Sequence, residues 1–490
     1  MMPVLSAQNR IHSAYNPVRE ASRFADSLNP AFHPFCIVVS EPGESFLAPV
    51  LRERFPGSIL VALRYTRDQF AGSDHLWDAV WRPVSCGTVS AFLFNRIPDE
   101  YLAVTVFVAW KPSDRIWPEA AAQVWEGIAA VIRLQQSIMH TRSSFGRRWL
   151  TNMVRNISGA RSVVSGVRTV RPVFLAAAGP SLEKQFPIPR NTFYVVALSS
   201  SLSCLAAHGC IPDLCISTDG GYWAKMLFRD GIPSLPVAFP LEAAIPASVL
   251  ERNPVVFLDY GSLLEREFFS RCGIRPERAF RNGTVTGTAA FYALEHTSGK
   301  VYVSGLDLAP TLSFSHARPH PSDGVTENGT DRLHTLQERI YIRNVDTSSL
   351  EIYAGWFASR DSTFRERFIR LAPEARPIDG LVVSELADIT AGAGTPVAPV
   401  RPQSLPGLDV RKDALHDCLC VLRNSLEMGS PVNSLNTELM QMVSYLDYIH
   451  LVKKLHSKDA DRDVGDLSAS IIRDTGCFLD RLILMVEKNG

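Results

Sequence analysis

Between residues 172 and 306 the chain repeats one pattern: a short apolar run rich in β-branched residues, a small or polar break, and in several places a helical stretch before the next run. The runs are "PVFLAAA" (172–178), "TFYVVAL" (192–198), "LCIST" (214–218), "PVVFLD" (254–259) and "KVYVSGL" (300–306), and the helical stretches include "SLSCLAAHG" and "GTAAFYALEHTSG". A strand that is apolar on both faces has to be covered on both faces, and helical crossovers supply that cover. The pattern therefore predicts an α/β fold with a Rossmann-like, mostly parallel central sheet.

A shorter series stands ahead of it. "FCIVVS" (35–40), a helix in "FLAPVLRERF" and "SILVAL" (58–63) read as a βαβ unit, with a further strand in "YLAVTVFVAW" (101–110). A capped helix over 11–28, with a turn at Asn16-Pro17, precedes the unit, and a long helix over 117–140, reaching toward Asn156, follows it. A chain of 490 residues is too long for one ordinary core. We expect an N-terminal α/β domain over 1–157, a small polar linker over 158–170, and the central Rossmann-like domain over 171–386. An Ala-, Gly- and Pro-rich connection (387–407) then leads to an all-helical domain over 408–490.

Fifty basic residues balance fifty acidic ones, which argues against a polyanion-binding protein, nucleic acid included, and leaves room for a local basic patch. The most apolar stretches, such as "SLPVAFPLEAAIPASVL", are broken by prolines well short of the ~20 residues a membrane span needs, so no span is expected. The N-terminal "MMPVLSAQNRIHSAYNP" lacks the basic start and apolar core of a secretory signal. The nine cysteines include no Cys-x-x-Cys pair. The expectation is a reduced, cytoplasmic protein with buried thiols.

In open parallel sheets ligands bind beyond the carboxyl ends of the strands. Four such ends carry unusual residues. In "AAAGPSLE", Gly179, Pro180 and Ser181 suit either a backbone cradle for a phosphate, with free N–H groups on the following helix, or a β-turn capped by Ser181. Ser199 and Ser200 offer hydroxyls to a sugar or base, or cap a helix. Asp219 in "CISTDGG" suits a ribose hydroxyl, a metal or an Asx-turn. In "RNGTVTGTAAFYAL", Gly283, Thr284, Thr286, Gly287 and Thr288 precede a helix without the Gly-Lys-Ser/Thr ending of a P-loop. Downstream, Asp307 follows a strand, and His316 and His320 lie in a Pro-rich loop where Pro319 and Pro321 deny them a shared helix face for a metal. His316 is the candidate general base, and His320 reads as solvent-facing.

The order "GPSL", "ALSSSLSCLAAHGCIPDLCISTDG", "NGTVTGTAAFYAL" and "VYVSGLDLA" followed by a histidine resembles the motility accessory factor family of flagellin glycosyltransferases. Their central domain is shared with the archaeal 6-hydroxymethylpterin pyrophosphokinases, and two of the motifs are distantly similar to those of bacterial sialyltransferases. The likeness is strongest over about 171–321 and weaker over 11–65. It implies transfer of a nonulosonic acid, pseudaminic or legionaminic, from its CMP-activated form to Ser or Thr of flagellin. No cofactor and no metal are expected, since a nucleotide with a single phosphate needs a divalent metal less than a diphosphate donor does and no clear Asp-x-Asp pair ends a strand of the central domain. By position, Gly179, Pro180 and Ser181 would face the nucleotide phosphate and Ser199 and Ser200 the nucleoside, with Asp219 farther along the rim. Thr286, Gly287 and Thr288 would form a second donor loop, and Asp307 would sit beside the donor with His316 as base. Relatives commonly carry a tyrosine where this chain has Pro310. Two alternatives stay open: an ATP-dependent pterin pyrophosphokinase using Asp213 and Asp219 for magnesium, and a non-catalytic chaperone for flagellin.

Overall fold

Both apolar series form parallel sheets in the computed structural model of the protein. The structure describes residues 10–83, 87–229, 234–281, 284–309, 314–343, 348–371, 376–389, 401–427, 434–458 and 463–488. It divides into two compact units, Met1–Gly146 with Leu439–Cys477, and Arg147–Glu438 with Phe478–Gly490. These units do not follow the three segments expected above, because the helices beyond residue 408 are shared between them.

In the first unit, β1 (Cys36–Ser40), β2 (Ile59–Leu63), β3 (Ala79–Trp81) and β4 (Thr105–Ala109) form a parallel sheet in the order β3-β2-β1-β4. Val38 of β1 lies opposite Val61 on one side and Phe107 on the other. Every residue of β1 is buried, as a central strand covered on both faces requires. The short β3 had no visible run of its own; its three residues pair with β2 and not with a turn neighbour. The expected N-terminal helix is Pro17–Ser27, with Asn16 Oδ1 accepting the Arg19 N–H at 2.8 Å. At the carboxyl end of β2, Arg64 is fully buried and donates to Glu41 at 3.0 Å, the Gly43 carbonyl at 2.7 Å and Asp74 at 3.0 Å. This network consumes the guanidinium internally, so it braces the loops there and presents no charge outward.

The second unit is built on β5 (Ser162–Ser165), β6 (Val173–Ala176), β7 (Tyr194–Leu198), β8 (Leu214–Ile216), β9 (Val237–Pro240), β10 (Pro254–Asp259), β11 (Glu277–Arg278), β12 (Val301–Ser304), β13 (Phe368–Arg370), β14 (Val382–Val383) and β15 (Arg401–Pro402). Their order is β14-β13-β12-β6-β7-β8-β9-β10-β5-β15, with β11 paired to β10. All pairings are parallel except β15 with β5. The segment expected to be a linker, 158–170, supplies β5, because Val163 and Val164 bury against the sheet. The proline-broken stretch at 234–250 supplies β9, whose four residues are all buried.

From β6 the chain lays β7 to β10 on one side, then returns to place β12 to β14 on the other. The crevice beyond the carboxyl ends of β6 and β12 is therefore the topological switch point, where open α/β sheets bind ligands. The long helix Pro118–Gly159 enters this unit at Arg147 and aims two asparagines at the sheet's rim. Asn152 Nδ2 donates to the carbonyls of Gly220 and Glu242, and Asn156 Nδ2 to those of Leu241 and Ala243, at 2.8–3.2 Å. Four residues apart, they lie on one helix face and fix the loops after β8 and β9.

Candidate active site

The Gly-Pro-Ser-Leu tetrapeptide ends β6 because it interlocks with the end of β12. The Gly179 N–H donates to the Gly305 carbonyl at 2.8 Å, the Gly305 N–H to Ser181 Oγ at 3.1 Å, and the Ser181 N–H to Asp307 Oδ2 at 2.9 Å. The contact needs both glycines. A Cβ on Gly179 would lie 2.5 Å from Asp307 Oδ2 and from the Gly305 carbonyl. Gly305 has φ +76°, and a Cβ there would lie 2.3 Å from the Ala177 carbonyl. Free N–H groups were expected on a helix after the tetrapeptide. The structure corrects this: Pro180–Gln185 is a single 3₁₀ stretch, and the Ser181 N–H is already committed to Asp307.

Asp307 is half-buried, and its Oδ1 is buried with no hydrogen-bond partner among the described residues. A carboxylate oxygen in that state is an acceptor in want of a donor. Behind it, Arg370 is fully buried and donates to the Leu306 carbonyl at 2.8 Å and the Asp307 carbonyl at 2.9 Å, which places a positive charge against the carboxylate. Burial pulls the Arg370 pKa down, and Asp307 opposes that. Leu308, next in sequence, has φ +46°, a strained value for leucine, at this same crevice.

The histidine loop reaches the same place. The Ala317 N–H donates to the Ala178 carbonyl at 2.7 Å and the Arg318 N–H to Glu183 at 2.8 Å, so His316 stands beside the end of β6. Its ring stacks on His320, centroids 4.2 Å apart, and its Nδ1 lies 3.1 Å from Ser315 Oγ. His320 is buried and not solvent-facing as the sequence suggested: its Nδ1 meets Ser322 Oγ at 2.7 Å and its backbone N–H donates to Asp323 at 2.8 Å. Burial, with the neighbouring His316, pushes the His320 pKa down to about 4, so its ring is neutral. Pro310 lies outside the described residues.

The other expected residues line the rim beyond the clasp. Ser199 is buried and Ser200 half-buried at the end of β7, while Ser201 Oγ donates into the strand ends at the Ala176 carbonyl, 2.8 Å away. Asp219 lies three residues beyond the end of β8, two strands from β6 and so ~10 Å along the rim. Its Oδ1 accepts the Gly221 N–H at 2.7 Å, an Asx-turn. Thr286, Gly287 and Thr288 stand inside the first turn of the helix Val285–His296 and not ahead of it. Thr284 Oγ1 caps that helix through the Gly287 N–H at 2.9 Å, and Thr288 Oγ1 donates to the Phe280 carbonyl. Gly283 lies outside the described residues. Asp213 precedes β8 and is held bidentately by Arg190 at 2.6 and 2.8 Å. It lies at the opposite end of that strand from Asp219, so the two carboxylates do not form one metal site.

One part of the rim was missed from the sequence. After β9 and β10 the buried carboxyls of Glu242 and Glu265 sit with Tyr260 and Arg281. Arg281 pairs with Glu242 and lies over the rings of Trp149 and Tyr260, 5.3 and 5.2 Å from their centroids. Tyr260 Oη meets Thr288 Oγ1 at 3.2 Å, which links this cluster to the helix start. Glu265 is wholly buried; its Oε2 accepts the Tyr260 N–H at 3.2 Å and its Oε1 has no partner among the described residues. Burial first, then the charges of Glu242 and Asp259, raise its pKa to about 8 against the pull of Arg281. The signal available was a lone carboxylate inside the apolar run "FPLEAAIP"; in "SLLEREFF" Glu265 has Arg266 and Glu267 beside it and does not stand out.

Residues 147–312 match the family described as 6-hydroxymethylpterin diphosphokinase MptE-like. An uncharacterized protein of Treponema pallidum is 40% identical over 305 residues, which cover 60% of this chain and 68% of the treponemal one. The structure of the MAf glycosyltransferase from Magnetospirillum magneticum matches with a TM-score of 0.50 at 14% identity, over 99% of this chain and 86% of that one, a likeness of fold. With the motif order read from the sequence and the switch-point clasp in place, the chain belongs to the motility accessory factor family, with an MptE-like domain at its centre.

Proposed function

We propose that the protein is a glycosyltransferase that moves a nonulosonic acid, of the pseudaminic or legionaminic type, from its CMP-activated donor to Ser or Thr hydroxyls of flagellin. The observation that carries this reading is the clasp at the switch point, where one buried carboxylate oxygen of Asp307 has no partner among the described residues and lies beside the His316 loop. An unbonded acceptor suits a hydroxyl of the donor sugar or ribose better than a phosphate, whose charge it would repel. The likeness of fold to a MAf glycosyltransferase supports the same class of reaction.

In this reaction the bond from the anomeric carbon to the phosphate oxygen breaks, and CMP leaves as a phosphate monoester. The acceptor oxygen bonds to the anomeric carbon, which carries oxocarbenium character, and its proton passes to His316 as base. Ser199, Ser200 and Asp219 extend the rim toward the nucleoside, and Thr286 and Thr288 bound the donor pocket from the helix side. The monophosphate leaving group asks less of a divalent metal than a diphosphate would. The separation of Asp213 from Asp219 weakens the pyrophosphokinase alternative.

The test is a thermal-shift series with CMP, ATP and no nucleotide, followed by mass spectrometry of flagellin incubated with protein and CMP-activated sugar. A shift with CMP and a mass increase of one sugar residue are expected. A shift with ATP alone would replace this reading with the pyrophosphokinase, and flagellin binding with neither nucleotide would replace it with the chaperone.

A further inference from the structure

The second unit holds a concavity of about 730 Å³ whose lining includes none of the clasp residues; it is lined by the end of the long helix, the segment around Ala247–Arg252 and the helices Leu408–Glu427 and Asp463–Lys488. Its charge is lopsided in a chain that is neutral overall. Arg155 and Arg161 come from the end of the long helix and the turn after it, Lys225 from the 3₁₀ stretch Tyr222–Phe228, and Lys412, Arg481 and Lys488 from the two later helices. Against these six cations the lining has one carboxylate, Glu251. Among the described residues, Arg155, Arg161, Lys225, Arg481 and Lys488 make no ion pair. Burial and the neighbouring Arg155 guanidinium both lower the Lys225 pKa, which is the mark of like charges held together.

We infer that this concavity is a docking site for an acidic segment of a partner protein in which aliphatic residues alternate with carboxylates. Three observations select that occupant. The cations stand on four separate pieces of chain around the hollow, so they match several spaced negative charges and not one phosphate. The wall between them is aliphatic, with Ile245, Leu250, Leu408 and Leu484, which suits apolar side chains set between acidic ones. The lining contains no aromatic ring to stack a base and a single hydroxyl, Ser158, so a nucleotide would find nothing to read its base or ribose. The inference stands on this lining alone and does not depend on whether the protein transfers a sugar.

The experiment uses the full chain and a fluorescein-labelled synthetic peptide of alternating Glu and Leu, read by anisotropy. Saturable binding is expected, weakening ~10-fold or more between ~0.05 and ~0.3 M salt as screening shortens the reach of the cations. Arg155→Glu combined with Arg481→Glu should cost a further ~10-fold or more, and Arg481→Gln alone a smaller loss in the same direction. Arg332→Glu, at an exposed position outside this lining, should bind like wild type, with unchanged circular dichroism in all variants. No saturable binding, or equal binding by the double variant, would overturn the inference. So would full displacement by pyrophosphate at matched ionic strength, or preferential binding of phosphatidylglycerol vesicles over the peptide, since these would make the hollow a phosphate or membrane site.

Discussion

Replacing Glu265 with glutamine isolates the energetic cost of the buried carboxyl at the rim. The unfolded side chain ionises near its ordinary value of 4.5, whereas burial and the charges of Glu242 and Asp259 hold the folded one protonated up to about pH 8. Between those values the unfolded chain releases a proton that the folded chain keeps. Folding stability attributable to this group is therefore full below pH 4.5 and falls as pH rises to about 8. At about 1.4 kcal/mol per pH unit, the cost at pH 7 is on the order of 3 kcal/mol. Glutamine carries no such proton, keeps the acceptor for the Tyr260 N–H, and fills nearly the same volume. The assay is denaturant unfolding of wild type and Glu265→Gln at pH steps from 5 to 8, followed by tryptophan fluorescence. The stability difference should swing in favour of the variant by on the order of 3 kcal/mol or more across that range, whatever its starting offset. A difference that stays constant with pH would refute the reasoning, and would mean that Glu265 is ionised in the folded protein and held by Arg281.

Gly179→Val should abolish CMP binding in calorimetric titration, because its Cβ alone would lie 2.5 Å from Asp307 Oδ2 and the Gly305 carbonyl and would force the clasp apart. Ser181→Ala removes only the acceptor for the Gly305 N–H and should lower stability by about 1–3 kcal/mol while weakening CMP modestly; unchanged affinity in the Gly179 variant would remove the clasp from the donor site. His316→Ala should leave CMP affinity nearly intact and lower turnover by ~10²–10⁴-fold, as loss of a positioned base does, and wild-type turnover would assign the base elsewhere. His320→Ala should instead lower the melting temperature, through loss of a buried ring stacked on His316 and bonded to Ser322. Transfer should survive excess EDTA; full loss restored by magnesium or manganese would bring metal chemistry back into the mechanism.

The sequence by itself determined what local chemistry can determine. Runs such as "TFYVVAL" and "PVVFLD" can only be covered strands, and β7 and β10 lie within a residue or two of where those runs place them. Asn16-Pro17 starts a helix because the amide caps it and the proline costs no hydrogen bond there. The order of the small-residue motifs identified the family. What the sequence left hidden is what depends on partners far along the chain. β5 and β9 lay in stretches that read as a linker and as a proline-broken run; pairing with β10 decides both. The Gly-Pro-Ser-Leu turn looked like a phosphate cradle because nothing local shows that Asp307, 126 residues on, takes the Ser181 N–H. His320 looked exposed because burial is set by what packs over a residue, and here His316 and Asp323 do. The rim carboxyls Glu242 and Glu265 and their partner Arg281 belong to three separate stretches of sequence. Only the sheet, by bringing the carboxyl ends of its parallel strands to one edge, makes them neighbours.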